Sequence, residues 1–148
     1  MTPSISKVLW VGLALGFVLN LFGWLGNVFV LGPMWNEAFA GVPTTPWRET
    51  PWRDLVSFLP DFIYGVAVSW LYVRLARSDG PSFATAVRAC MLVFVVGALT
   101  TYLGMANSGL LPWRLSVATT ILALATFIPG AWLTERLFRN NAYLPQGT

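Results

Sequence analysis

The chain has 148 residues, of which 56% are hydrophobic and only 10% are charged. Ordinary soluble domains carry roughly 25% charged residues, so this composition is that of a membrane protein. The net charge of +3 comes from nine basic residues scattered over short polar segments, and it predicts no surface for nucleic acid. The chain has no histidine, which removes the usual ligand of haem and metal ions and the commonest general base. The sequence therefore names no cofactor and predicts no metal site.

Four apolar segments are long enough to cross a bilayer as helices, which takes about 20 residues each. They run, with approximate bounds, over Val8–Leu31, Pro60–Val73 behind an amphipathic lead-in from Trp52, Phe83–Gly104 and Leu115–Leu133. None has the ten-residue alternation of a barrel strand. We therefore predict an all-α polytopic membrane protein, with a single four-helix transmembrane domain over residues 1–148.

The connections between these segments are short and polar, with one exception. Residues 32–51 contain four prolines and too few apolar residues for a core, so they are predicted to form an extended external loop. Residues 140–148 are predicted to be a flexible C-terminal tail. The turn from Ser78 to Ser82 is predicted to supply N-capping side chains for the third transmembrane helix.

The distribution of basic residues predicts the orientation. Six lie on the side shared by both termini and three on the other, namely Lys7, Arg74, Arg77, Arg88, Arg136 and Arg139 against Arg48, Arg53 and Arg114. Basic residues near helix ends are enriched on the cytoplasmic side. Both termini are therefore predicted to be cytoplasmic.

The second and fourth segments resemble each other at both ends. Each is preceded by Pro-Trp-Arg, and each ends with a Trp-Leu pair followed four residues later by an Arg-Leu pair. This pattern indicates a duplicated helical hairpin. The alternative is that interface preferences alone placed Trp and Arg at these helix ends.

Small and polar residues form stripes along the predicted helices, and such stripes are typical of helix contacts in membranes. The predicted helix-packing residues are Gly12, Gly16, Asn20, Gly23 and Asn27 in the first helix, Gly65 in the second, and Gly97 and Gly104 in the third. The stripes predict a compact bundle with these faces buried against protein.

Asp61 is the only acid within an apolar segment, and an intramembrane carboxylate is a candidate functional residue. If Pro60 began the second helix, Asp61 would lie in its first turn and stabilise the helix N-terminus instead. The predicted topology also gathers Asn27, Asp61, Tyr64, Thr101 and Ser116 in the outer half of the bundle. These side chains either line a small polar site or hydrogen-bond to one another and fix helix register.

The stretch from Gly16 to Trp35, GFVLNLFGWLGNVFVLGPMW, resembles the first helix of small bacterial four-helix membrane proteins grouped as a domain of unknown function. The likeness includes Gly32 and Trp35 at the helix exit and extends to Gly130-Ala131-Trp132 in the last helix. The resemblance implies the bacterial inner membrane. It implies no activity, because the shared residues are of packing and interface types.

No catalytic motif is recognisable, so the chain is predicted not to be an enzyme. The favoured function is an accessory or scaffolding subunit that packs against a larger membrane complex, of respiratory or photosynthetic type. Its expected partners are membrane lipids and other integral membrane subunits or further copies of the chain. The alternative is a small transporter or channel using Asp61 and the outer polar cluster. A membrane enzyme acting on a lipid or quinone is the least favoured hypothesis.

Overall fold

The structure, a computed structural model, describes residues 4–41 and 52–139, apart from the side chains of Arg53 and Asp54. The described residues form five helices: α1 (Ile5–Phe29), α2 (Gly32–Ala38), α3 (Trp52–Asp79), α4 (Phe83–Asn107) and α5 (Trp113–Arg139). Helices α1, α3, α4 and α5 are each long and apolar enough to span a membrane. The predicted all-α fold with four transmembrane helices is thus confirmed.

The four long helices form a ring in which each contacts two neighbours. Helices α1 and α4 each pack against both α3 and α5, and the α1–α3 contact is the most extensive. Successive long helices run in opposite directions, so the bundle has two distinct ends. We call the end with the α3–α4 turn the terminal side, because α1 begins there and α5 ends there. The opposite end, which includes α2, is the loop side.

The turn between α3 and α4 is built as the sequence predicts. Ser82 caps α4, its hydroxyl accepting a hydrogen bond from the backbone N–H of Thr85 at 3.1 Å. Gly80 has a φ of 77°, which a glycine adopts without steric cost. Arg88, predicted to snorkel or to pair with an acid, forms an ion pair with Asp79 across this turn.

The predicted external loop differs from the structure in its first part. Residues 32–38 form the short helix α2, with Pro33 in the first turn, where its missing N–H costs nothing. The Trp35 indole N–H donates a hydrogen bond of 2.8 Å to Asn27 Oδ1, which ties α2 to α1. Residues 42–51 of this loop and the predicted tail over residues 140–148 lie outside the described residues.

The start of the second transmembrane helix was predicted wrongly. Helix α3 begins at Trp52, and Pro60 lies inside it. The amphipathic lead-in continues as the same helix, because an internal proline removes one backbone hydrogen bond without ending a helix that is held by its neighbours. Asp61 is therefore not in a first turn, and the proposed capping role fails.

Glycines bring α1 and α3 into backbone contact, as the packing stripe predicts. A Cβ atom added to Gly12 would lie 2.6 Å from Val66 Cα, and one added to Gly16 would lie 2.6 Å from Phe62 Cα. From the other side, a Cβ on Gly65 would lie 2.6 Å from the Gly16 backbone nitrogen. Only residues without a side chain allow this approach.

Two of the predicted packing glycines are not at helix contacts. A Cβ added to Gly23 or Gly104 would meet nothing within 4 Å, so the spacing that places Gly23 on the stripe of Gly12 and Gly16 does not give it a close neighbour. The helices have separated at this level of the bundle. Gly97 does have a neighbour, because its Cβ would lie 2.6 Å from the Tyr64 ring.

Helices α3 and α5, which share the repeated sequence pattern, lie diagonally across the ring. Both end in the same cation–π pair, with Arg74 5.1 Å from the centre of Trp70 and Arg136 5.6 Å from the centre of Trp132. Their prolines differ, since Pro60 lies ten residues before its tryptophan and Pro129 only three. The duplicated hairpin remains a prediction.

The terminal half of the bundle contains a closely packed core. Its large buried side chains include Leu15, Val68, Tyr72 and Phe138, and the rings of Tyr72 and Phe138 lie 5.2 Å apart. Toward the middle of the bundle, Phe94 meets Phe127 edge to face at 5.8 Å. These side chains fill the space between the helices on the terminal side.

Candidate functional site

A cavity of about 390 Å³ lies between the four long helices in the loop half of the bundle. Every long helix contributes to its wall. Its polar lining includes Asn20, Asn27, Asp61, Tyr64, Thr101 and Tyr102. Phe127 contributes to the wall on the side of the terminal core. Ligand pockets of proteins are commonly 300–1,000 Å³, so the cavity is large enough for a small organic molecule.

Asp61 is a half-buried carboxylate on this wall. It lies six residues beyond Leu55, where the apolar part of α3 begins, so it is about 9 Å inside that segment. Among the described residues, no side chain forms an ion pair or hydrogen bond with it. A carboxylate in a membrane span usually pairs with a cation or faces water. Asp61 therefore presents an uncompensated negative charge to the cavity.

Tyr64 lies about one turn further along α3 and reaches across to α4. A Cβ on Gly97 would come within 3.1 Å of its hydroxyl oxygen, so only a glycine leaves room for the ring. Gly97 belongs to a π-helical turn over Val95–Leu99, a kind of irregularity that is frequent at functional sites. The hydroxyls of Thr100 and Thr101 donate to the Gly97 carbonyl at 3.1 and 2.8 Å.

Two asparagines of α1 line the cavity but use their amides to hold the helices. Asn20 Nδ2 donates to the carbonyl of Gly16 at 3.0 Å and to that of Phe58, in α3, at 3.1 Å. Asn27 donates to the Gly23 carbonyl at 2.8 Å and accepts from Trp35. Asn20 and Asn27 are therefore residues that position α3 and α2 around the site.

The structure brings together four of the five residues that the sequence grouped as a polar site, namely Asn27, Asp61, Tyr64 and Thr101. Ser116 is not among the lining residues. It is buried between α4 and α5, where its hydroxyl donates to the Tyr102 carbonyl at 2.5 Å. Ser116 thus holds the backbone that carries Tyr102.

Several lining residues were not predicted, among them Trp24, Tyr102, Thr119 and Thr126. A signal was present for the last two, since seven residues are about two helical turns and place both on one face of α5. Their hydroxyls donate to carbonyls of their own helix, at 2.9 Å for Thr119 with Leu115 and 2.7 Å for Thr126 with Ala123. Trp24 gave no such signal, because its interior role depends on where α1 and α3 separate.

The chemistry of the wall suits a single positive charge. In the part of the chain that the structure describes, no three His, Cys, Asp or Glu side chains lie together as metal ligands do. Asp61 thus stands alone, accompanied by the aromatic rings of Trp24, Tyr64, Tyr102 and Phe127. Aromatic faces attract cations, most strongly where water is excluded. A carboxylate among aromatic rings is an arrangement that binds an organic cation.

Comparisons with known proteins add no relative to this picture, because no family model, curated protein or solved structure matches the chain.

Proposed function

We propose that the protein is a small membrane transporter whose loop-half cavity binds an organic monocation. The observation that carries the proposal is the unpaired carboxylate of Asp61 on the wall of a cavity of about 390 Å³. A bundle that served only as a scaffold would gain stability by filling this space, since helices in lipid associate through close packing. An unpaired intramembrane carboxylate beside an unfilled cavity is instead typical of a ligand pathway.

A permanently open channel fits the bundle less well than a transporter does. Leu15, Val68 and the Tyr72–Phe138 pair fill the terminal half, so the cavity does not continue through it. That half is nevertheless not wholly apolar. The hydroxyls of Ser69 and Tyr72 are buried there without a hydrogen-bond partner. They follow Asp61 at 8 and 11 residues, on one face of α3, and would line a path if the terminal half opened.

The test measures binding of tetraethylammonium to the protein in lipid nanodiscs by isothermal titration calorimetry. We expect saturable binding to the wild type and a loss of at least tenfold in affinity for Asp61→Asn, because the neutral amide keeps the shape and removes the charge. Arg88→Gln serves as the matched control, since it also changes one charge but lies at the terminal side. It should leave the affinity unchanged.

Transport itself is measured with proteoliposomes loaded with tetraethylammonium. Exchange of external labelled ligand should exceed that of empty vesicles and disappear in Asp61→Asn. If the wild type neither binds nor exchanges any organic monocation of this size, the transporter proposal fails. The scaffolding hypothesis would then stand, and proteins that copurify with the chain from its own membrane would identify the complex.

For orientation we propose that both termini lie in the cytoplasm, in a bacterial inner membrane, so that the cavity faces outward. The support is the six-to-three excess of basic residues on the terminal side. A cysteine at Ser108 should be labelled by an impermeant maleimide in intact cells, whereas one at Ser78 should be labelled only after lysis. Buried Cys90 is the internal control for unreactive thiols. Labelling at Ser78 alone would reverse the orientation.

A further inference from the structure

An apolar groove of about 400 Å³ runs beside the cavity on the outer surface of α1 and α3. It is lined by Phe17, Leu21, Leu55, Leu59 and Phe62 together with Asn20, Trp24 and Phe58. The last three residues also line the cavity. The polar chamber and the apolar groove are therefore neighbours that share one wall.

The shared wall is thin and polar. Its link between the two helices is the hydrogen bond from Asn20 Nδ2 to the Phe58 carbonyl, 3.1 Å long. Pro60 follows two residues later in α3 and has no N–H to donate to the carbonyl of Val56, so the helix is less tightly bonded here. Separating α1 from α3 at this level costs this asparagine bond and little buried area.

The other side of α1 is closed by comparison. A groove of about 350 Å³ between α1 and α5 shares Leu122 and Thr126 with the cavity. There the Leu122 side chain packs directly on Gly26, where an added Cβ would lie 2.7 Å from Leu122 Cδ2. A branched side chain seated on a glycine blocks this route, so the two grooves are not equivalent.

We infer that the ligand is a cationic amphiphile, with a compact ammonium head in the cavity at Asp61 and one hydrocarbon chain in the α1–α3 groove. This rests on the proposed cation binding and names the class of ligand. The charge of Asp61 selects the head, and the apolar groove beside it suits a chain that stays in contact with lipid. The amphiphile reaches the site sideways from the bilayer, between Trp24 and Phe58, with no need to leave the membrane.

The test compares tetramethylammonium with dodecyltrimethylammonium in nanodiscs, for the wild type and two variants of α1. Leu21→Trp fills the α1–α3 groove, and Leu25→Trp, the matched control, fills the α1–α5 groove instead. Because each amphiphile partitions equally into the same bilayer, the ratio of affinities between proteins cancels partitioning. We expect Leu21→Trp to weaken dodecyltrimethylammonium at least tenfold, to change tetramethylammonium less than twofold, and Leu25→Trp to change neither.

A second measurement locates the chain directly. Dodecyltrimethylammonium carrying a terminal diazirine should, after illumination, label peptides of the α1–α3 groove, and Asp61→Asn should reduce that labelling. Equal loss of both ligands in Leu21→Trp, no loss of either, or labelling confined to the α1–α5 groove overturns the lateral site while the cation site stands. If neither ligand binds the wild type, the proposed function fails and this inference fails with it.

Discussion

The terminal half and the loop half of the bundle are made from the same four helices, yet they use small residues in opposite ways. On the terminal side, Gly12, Gly16 and Gly65 let two backbones touch, and large side chains fill what remains. On the loop side, Gly23 has no neighbour within 4 Å and its missing side chain becomes part of a cavity. A glycine on a packing stripe therefore either closes two helices or leaves space between them.

The treatment of polar groups separates the two halves as well. Thr134, in the terminal half, is buried and its hydroxyl donates to the Gly130 carbonyl at 2.8 Å. Asp61, in the loop half, stays unpaired among the described residues and faces the cavity. A buried carboxylate without a partner costs stability, so the loop half retains a cost that the rest of the fold must offset. Such a cost is typical of functional sites.

The largest expected effect is on the glycine contact of the terminal half. Gly16→Leu should lower the free energy of unfolding by at least about 3 kcal/mol, because its side chain would collide with the Phe62 backbone. Ala14→Leu adds the same side chain to an exposed position of the same helix and should change stability by less than about 1 kcal/mol. Unfolding in mixed micelles, followed by circular dichroism, compares them. Equal losses in the two variants would mean that the buried face of α1 is wrong.

An intermediate effect is expected for Gly23→Leu, two turns further along α1. The same leucine has open space there, and it favours the helix more than glycine does, so stability should not fall. Its side chain should occupy part of the cavity and reduce tetraethylammonium affinity at least tenfold. Calorimetry in nanodiscs measures the affinity, and the micelle experiment measures the fold. A variant that unfolds like Gly16→Leu would remove the distinction between the halves.

The smallest effect is expected at the cap of α4. Ser82→Ala removes the acceptor for the Thr85 N–H and should cost about 1 kcal/mol of stability. Because the cap lies on the terminal side, ligand affinity should not change. Ser82→Asp, which keeps an acceptor, should recover most of the loss. A change of affinity in Ser82→Ala would indicate that the two halves are coupled more closely than their packing suggests.

The sequence predicts the architecture because the bilayer imposes simple rules. Long apolar segments must be helical, and Ser82 and Gly80 mark a turn by local chemistry alone. The start of α3 could not be obtained in the same way. Pro60 reads as a helix start when considered locally, but the helix continues past it because neighbouring helices hold it in place.

The site could be predicted in part. Asp61, Tyr64 and Thr101 stand out as polar residues in apolar segments, and the topology places them at one level. Ser116 stands out equally, yet its hydroxyl is used by a backbone carbonyl of α4. The difference depends on the distance between α4 and α5, which no spacing along one helix encodes. For the same reason, the sequence could not distinguish Gly16 from Gly23.

The π-helical turn of α4 has a consequence for the phase of the whole helix. Inward-facing residues of α4 recur at every fourth position, as Ala86, Cys90, Phe94, Ala98 and Tyr102. In a regular α-helix, four residues overshoot one turn by about 40°, so this series would drift by about 160° and its last members would face lipid. A π-helical turn holds more residues per turn and winds back part of this drift. Deleting Val96 would rotate the following segment by about 100°. Tyr102 would then leave the cavity while Ala86 and Cys90 kept their places in the core.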